Sequence, residues 1–193
     1  MDGITGVAEL GFVPQFAGPG QTRTDEPGLG PRLHRAVKLF PSDWLFVHRD
    51  AERDPVENRR EEIQRAYAGA DFPFFVPVIP VRMTEAWLLI DERAIRRAAD
   101  NPNGSARLAI PAVAELESLP NPKKMLFDPL EVASKKKGRL AQFKTVQSLS
   151  WRRARVADLI RDISPLTSLP AFRSFQRETE DMANQWLDQH RQD

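Results

Sequence analysis

The pattern of hydrophobic and polar residues predicts alternating helices and strands in the first half of the chain. Two mainly apolar runs, Trp44–His48 and Phe74–Val81, have the length and composition of buried strands. Apolar residues at helical spacing predict helices over Pro31–Phe40 and Pro55–Ala70. This rhythm is typical of a parallel sheet with helices on its faces. We therefore expect an α/β fold with three layers and a mostly parallel sheet.

Prolines and glycines limit the extent of this sheet. Pro77 and Pro80 remove two backbone donors, so the strand that contains them is expected at an edge or to end in a bulge. The short apolar run Leu10–Phe16 predicts a further strand. Ala17–Pro31 is rich in Gly and Pro and predicts a loop. No Gly-Lys-Ser/Thr follows its glycines, so it does not match a nucleotide-binding phosphate loop.

The second half of the chain has a helical pattern from Thr84 onward. Thr84 and Asp91 are candidate N-caps, each followed by residues that favour a helix. We expect a core over residues 1–100 and a helical extension over residues 101–193 packed on it. Proline breaks divide this extension into short helices predicted at Ala112–Leu119, Pro122–Ser134, Ser150–Ile163 and Pro170–Gln189.

Composition and charge exclude several classes of protein. The 193 residues are 41% hydrophobic and 28% charged, which is ordinary for a globular protein. The net charge of +1 provides no global field for nucleic acid, so any basic surface must be local. The lack of cysteine excludes disulfides and thiolate metal sites. No apolar run approaches the roughly 20 residues of a membrane span, and the start lacks a signal-peptide pattern, so we expect a cytoplasmic protein.

Acidic residues follow the first strand directly. Asp50, Glu52 and Asp54 lie where open α/β sheets place their ligands, at the carboxyl end of a strand. Carboxylates of this kind hold Mg²⁺ or Mn²⁺ together with water and phosphate oxygens. His48 lies on the same nominal strand face as Asp50 and is a candidate for proton transfer, the alternative being a hydrogen-bonded buried side chain. The alternative is structural: the acids cap the next helix and pair with the nearby arginines Arg49, Arg53, Arg59 and Arg60.

Two further groups of residues are candidates for binding phosphate. Arg82 and Glu85 lie where the second strand leads into a helix, whose amino terminus favours anions. Glu85 is equally well explained as a residue favoured by the helix dipole. A basic segment with Lys135, Lys136, Lys137 and Arg139 suits a polyanion, although a solvated basic face explains it as well.

Several motifs together resemble a known family. They are VHRDAE at 47–52, the spaced residues Arg59, Arg60, Glu62 and Ile63, VPVIPVRMTEAWLLIDE at 76–92, AIR-AA-NPNG at 94–104 and NPKK at 121–124. On these the chain resembles the bacterial family named domain of unknown function four-two-seven-six, from about Leu10 to the C-terminus. That family is similar to TOPRIM domains, the metal-binding α/β modules of topoisomerases, primases and OLD-type nucleases.

The resemblance implies a metal-dependent phosphoryl-transfer protein, namely a nuclease of bacterial defence or DNA processing. Asp50 and Glu52 would match the Asp-x-Asp metal motif, Glu85 would act in catalysis as a third ligand or by orienting one, and Arg49 and Arg82 would hold phosphate. A partner ATPase is implied by OLD-like systems. TOPRIM modules also begin with a strand ending in Glu-Gly, which is missing here, so we expect an incomplete core. The alternative is a catalytically inactive subunit that binds nucleic acid or an ATPase.

Overall fold

A computed structural model describes residue 15 and residues 17–51, 54–68, 74–134 and 146–190. The chain divides into two compact units. The first takes residues 1–79 and 174–193, and the second takes residues 80–173. The predicted boundary between residues 100 and 101 falls within the second unit.

The first unit contains a small parallel sheet, as the hydrophobic pattern predicts. Strand β1 pairs with β2 in parallel, with Trp44 opposite Phe74 and His48 opposite Val78. The sheet is therefore a two-stranded one in the described part of the chain. The elements of this part are α1 (Leu29–Leu39), β1 (Trp44–His48), α2 (Val56–Tyr67) and β2 (Phe74–Val78).

The mixed α/β class is confirmed, while the three-layer TOPRIM-like arrangement stays a prediction. The bounds of β1 are those predicted from the sequence. Strand β2 ends at Val78 rather than Val81, just before Pro80, which has no amide to donate. Pro77 lies within β2, in a sheet whose described strands both form edges. The predicted strand Leu10–Phe16 lies outside the described residues, apart from Gln15.

A buried apolar cluster holds the helices of the first unit against the sheet. Leu33 of α1 and Ile63 of α2 pack with Val47 of β1, and Ile63 has no exposed surface. Ala51 and Ile79, which follow the two strands, complete this cluster. These contacts fix the positions of the polar residues that lie beside them in the sequence.

The second unit is helical, as predicted, with 3-10 turns between its helices. Helices α4 and α6 pack together, and α3 packs on α5. The last helix, α7, begins in the second unit, and the division between units falls within it, after Arg173. The helices are α3 (Thr84–Trp87), α4 (Glu92–Ala98), α5 (Pro122–Ser134), α6 (Val146–Leu159) and α7 (Pro170–His190), and the 3-10 turns are Leu88–Ile90, Val113–Ser118 and Ser164–Ser168.

The two predicted helix caps have different outcomes. The Asp91 side chain accepts a hydrogen bond of 3.0 Å from the amide of Ala94, which confirms it as the cap of α4. The prediction for Thr84 is wrong, because the extended residue Met83 occupies the cap position and Thr84 is the first residue of α3. No described helix is long and apolar enough to cross a membrane.

Candidate functional site

The end of β1 places Asp50 beside His48, as the alternating strand pattern suggests. The amide of Arg49 donates a 3.0 Å hydrogen bond to the carbonyl of Val78, which continues the parallel pairing by one residue. Asp50 follows, and its Oδ1 lies 3.2 Å from Nε2 of His48. This oxygen is buried and accepts no hydrogen bond from the described residues. A partly desolvated carboxylate next to an imidazole therefore lies at the carboxyl end of the strand.

The other described acid of this cluster, Asp54, pairs with an arginine. Its Oδ2 lies 2.7 Å from Nη2 of Arg59. Arg59 also donates from Nη1 to Oε2 of Glu62 at 3.1 Å. Nη2 of Arg49 donates to both oxygens of Glu62, at 2.9 and 3.1 Å. The carboxylates of Asp54 and Glu62 are thus neutralised by two guanidinium groups, as in the structural alternative.

The predicted metal site stays a prediction. Glu52 lies outside the described residues, so its position relative to Asp50 is not part of the structure. Within the described ranges, no group of three or more histidine or acidic side chains is arranged to hold a metal ion. Arg49, predicted to bind phosphate, donates hydrogen bonds to both oxygens of Glu62, so a phosphate would have to compete with this carboxylate for the guanidinium group.

Glu85 is an internal ion-pair partner in the second unit. Its surface is 3% exposed, and its Oε1 accepts a 2.8 Å hydrogen bond from Nη1 of Arg153. Helix α3 is only four residues long. Arg82 precedes this helix and is partly buried. The burial and ion pair of Glu85 provide a structural reason for an acid at this position, beside the catalytic role that the resemblance implies.

Two groups of basic residues in the C-terminal half are candidates for binding a polyanion. Lys135, Lys136, Lys137 and Arg139 lie outside the described residues. On α6, Arg152 donates to the carbonyl of Ala98 and, at 3.1 Å, to Oδ2 of Asp100. Nη1 of Arg155 lies 3.2 Å from Oδ1 of the same aspartate. One carboxylate therefore organises two guanidinium groups.

These guanidinium groups lie against an exposed tryptophan. The ring centroid of Trp151 is 5.0 Å from Cζ of Arg155 and 5.8 Å from Cζ of Arg152. Trp151 is 54% exposed, although it is the largest apolar side chain on α6. We call Trp151, Arg152, Arg155 and Asp100 the α6 patch. The sequence places Arg152, Arg155 and Trp151 near the basic segment, but its aromatic residues there were too few to predict a base-stacking surface. The spacing of Trp151 and Arg155 by four residues does place them on one helix face.

Comparison of the chain with protein-family models, with curated proteins and with solved structures finds no match. The family resemblance and the TOPRIM-like fold that it implies stay predictions.

Proposed function

We propose that this chain is a catalytically inactive, nucleic-acid-binding protein that contacts single-stranded nucleic acid through the α6 patch. The observation that carries the proposal is the exposed ring of Trp151 with two guanidinium groups beside it. A base stacked on an aromatic ring contributes about 1–3 kcal/mol to binding, with little dependence on its sequence. Stacking of this kind needs an unpaired base, which favours single strands over duplexes.

Arg155 supplies the contact that a nucleic-acid backbone needs, since its side chain is 39% exposed, while that of Arg152 is 13% exposed and supports the patch from below. A guanidinium group donates two parallel hydrogen bonds to a phosphate and also stacks on aromatic surfaces. Asp100 holds Arg152 and Arg155 in place through its two oxygens, so the donors are ordered before a ligand arrives. This order reduces the loss of side-chain entropy on binding.

The sequence that leads into α6 adds to the positive charge. The segment from Lys135 to Arg139 contains four basic residues and precedes this helix. Each phosphate contact by a lysine or arginine releases counterions, so binding is expected to weaken steeply as salt is raised. A local basic surface of this kind is compatible with the net charge of only +1.

The absence of catalysis is supported by the partners of the candidate acids. Asp54 lies in an ion pair with Arg59, and the buried Glu85 lies in another with Arg153. A carboxylate neutralised in this way has to give up a guanidinium group before it can bind a cation or accept a proton. The energetic penalty is larger for Glu85, because its surroundings exclude water.

The proposal is tested by the binding of a fluorescein-labelled, unstructured DNA oligonucleotide, followed by fluorescence anisotropy. We expect Trp151→Ala to weaken binding about tenfold or more, because the stacking contribution is lost. Trp151→Phe is expected to restore part of the affinity. Leu39→Ala removes another exposed apolar side chain, 49% exposed in the first unit, and serves as the matched control.

The same oligonucleotide is incubated with the protein and Mg²⁺ or Mn²⁺ and analysed on a denaturing gel. We expect no cleavage with either ion. Binding that is absent, or that Trp151→Ala leaves unchanged, contradicts the proposed role of the α6 patch. Cleavage that is lost in Asp50→Asn contradicts the proposed absence of catalysis.

The second candidate function is metal-dependent phosphoryl transfer, as implied by the TOPRIM-like resemblance. The observation that favours it is the buried Oδ1 of Asp50, which accepts no hydrogen bond from the described residues. Asp50 and Glu52 would hold Mg²⁺ or Mn²⁺ with His48 nearby, and the partner ATPase stays a prediction. Calorimetric titration with Mn²⁺ tests this, with Asp50→Asn expected to abolish binding and Asp43→Asn, an exposed acid ahead of β1, as the control.

A further inference from the structure

We propose a binding site for a phosphate group in the first unit, at the amino end of α1. It is independent of the α6 patch, which belongs to the other unit. The site is an open depression of about 470 Å³. Three arginines and two glutamates line it, together with the cap residue of α1 and the first residue of that helix: Arg23, Arg32, Arg49, Glu26, Glu62, Gly28 and Leu29.

The amino end of α1 adds backbone donors to these arginines. Gly28 occupies the cap position with φ 106° and has no side chain to accept from the amides of the first turn. The first turn of this 11-residue helix contains no acidic residue. Its free amides and the helix dipole therefore favour an anion at this end. Because the arginines lie around the same depression, the helix end is one of several independent groups that favour negative charge.

The loop before α1 is tied to the helix, so the arginines lie on a built surface. Thr22 is 5% exposed, and its hydroxyl donates to the carbonyl of Gly18 at 3.1 Å. Nη2 of Arg32 donates to the hydroxyl oxygen of Thr22 at 3.4 Å. Nε of Arg35 donates to the carbonyl of Gln21 at 2.8 Å. These contacts connect the loop to α1 at two successive turns of the helix.

The charges around the depression leave two guanidinium groups for a ligand. Arg49 is held by Glu62, and its Nε is buried without a hydrogen-bond partner in the described chain. Arg23 and Arg32 form no ion pair with any described carboxylate. An entering anion would therefore meet Arg23, Arg32 and the amides of α1, with the Arg49–Glu62 pair beside them.

A phosphate group fits this arrangement better than a carboxylate. Its oxygens point in several directions, so it can accept from two guanidinium forks and from backbone amides at once. The depression is within the size range of pockets that hold whole organic ligands, about 300–1,000 Å³. The phosphate can therefore be free or be carried on a group such as a nucleoside, and the experiment has to distinguish these sources.

The test is isothermal titration of the full chain at low ionic strength with inorganic phosphate and, separately, with a nucleoside monophosphate. We expect saturable binding of at least one of them. Arg23→Ala and Arg32→Gln should each weaken it about tenfold, as loss of a charge-assisted hydrogen bond does. Arg65→Ala is the control, because Arg65 is an exposed arginine of α2 that does not line the depression.

The outcomes separate the two sources and the two proposals. Tighter binding of the nucleoside monophosphate assigns the ligand to nucleotides, while equal or tighter binding of inorganic phosphate assigns it to the free anion. No saturable binding of either ligand, or binding that Arg23→Ala leaves unchanged, overturns the site. Arg23 is exposed, so its variant remains informative if Arg32→Gln fails to fold. Neither variant alters the α6 patch, so oligonucleotide binding should persist in both.

Discussion

Glu85 and Arg153 form an ion pair that connects α3 to α6, with Oε1 and Nη1 2.8 Å apart. The two sides of this pair differ in environment, since the Glu85 side chain is 3% exposed and that of Arg153 is 47% exposed. A buried carboxylate without a partner is strongly unfavourable, because it loses its hydration without compensation. Arg153 therefore covers a charge that the fold has already removed from water.

We expect Arg153→Met to destabilise the protein, since it leaves the Glu85 carboxylate buried and unpaired. The expected loss is about 1–3 kcal/mol, below that of a fully buried pair because water reaches Arg153. Urea unfolding followed by circular dichroism measures it. Arg161→Met, at an exposed arginine, is the control, and Glu85→Gln combined with Arg153→Met should recover part of the loss. Equal stability of Arg153→Met and wild type would show that the pair is not stabilising.

A second ion pair connects α2 to α7 within the first unit. Arg60 donates from Nη1 and Nη2 to the two oxygens of Glu178, both at 2.7 Å. The hydrogen bonds that Arg60 donates to Glu178 raise the pKa of Arg60, although burial opposes this. Arg60 also donates to Oγ of Ser174 at 3.3 Å. The paired geometry fixes the approach of the two helices more strictly than a single contact would.

For this pair we expect Arg60→Met to lower the free energy of unfolding by about 1–2 kcal/mol, since a charge-assisted bidentate contact is lost from a partly exposed site. Arg60→Lys should recover little, because an ammonium group cannot form the paired geometry. Arg65→Met, on the exposed face of the same helix, is expected to change stability by less than about 0.5 kcal/mol. If Arg60→Lys is as stable as wild type, the bidentate geometry is unimportant.

Asp100 gives a direct test of the α6 patch. Its carboxylate neutralises part of the charge of Arg152 and Arg155 and so competes with a phosphate for them. We expect Asp100→Asn to strengthen oligonucleotide binding severalfold at low salt, because the removal of this internal anion outweighs the loss of part of the order that it imposes on the two arginines. Asparagine also suits the backbone, because Asp100 has φ 59°, a conformation in which Asn is enriched. Weaker binding by this variant would mean that the position of the arginines matters more than their free charge.

Glu117 predicts a specific dependence of stability on pH. Burial raises the pKa of this carboxyl above its ordinary value of 4.5, although the amide of Ala171 donates to it. A carboxyl with a raised pKa in the fold contributes stability below about pH 4.5, and this contribution is lost as pH rises through the folded pKa. Ionised Glu117 therefore opposes folding at neutral pH.

We expect Glu117→Gln to gain stability relative to wild type as the pH rises from about 4 to 7. The gain should be below about 1 kcal/mol, since the group remains partly exposed. Unfolding in urea at a series of pH values measures the free energy of unfolding of both proteins. The titration of the other carboxyls cancels in the difference between the two. Glu61→Gln, at an exposed position of α2, is the control for removing a surface carboxyl. A difference that is flat or of opposite sign is incompatible with the raised pKa.

Local sequence patterns predicted most of the secondary structure. The bounds of β1 follow from a run of apolar residues between polar ones, and the cap at Asp91 follows from a side chain that reaches an amide three residues away. Helix bounds were less accurate: α6 begins at Val146 rather than Ser150, because propensities change gradually at helix ends. The Thr84 cap was wrong because Met83 adopts the extended conformation of the cap position.

The partners of the candidate site residues depend on the tertiary structure more than the secondary structure does. Pairing of acids with nearby arginines was one of the two alternatives open from the sequence, and the contact of Asp54 with Arg59 agrees with it. The sequence could not show that Glu85 pairs with Arg153, since the two are 68 residues apart. A periodic pattern records which face of a helix is apolar, but it contains no information on which distant helix meets that face.

By itself, the amino-acid sequence determined the strand–helix alternation, from which parallel strands are expected, and the local cap of α4, because each depends on periodicity or on neighbours within a few residues. Only the tertiary structure decided which cation neutralises Glu85, which carboxylate orders the arginines beside Trp151, and which arginines meet at the amino end of α1. Those relationships arise when packing of apolar faces brings distant polar side chains within hydrogen-bonding distance, and charge alone does not specify the partner.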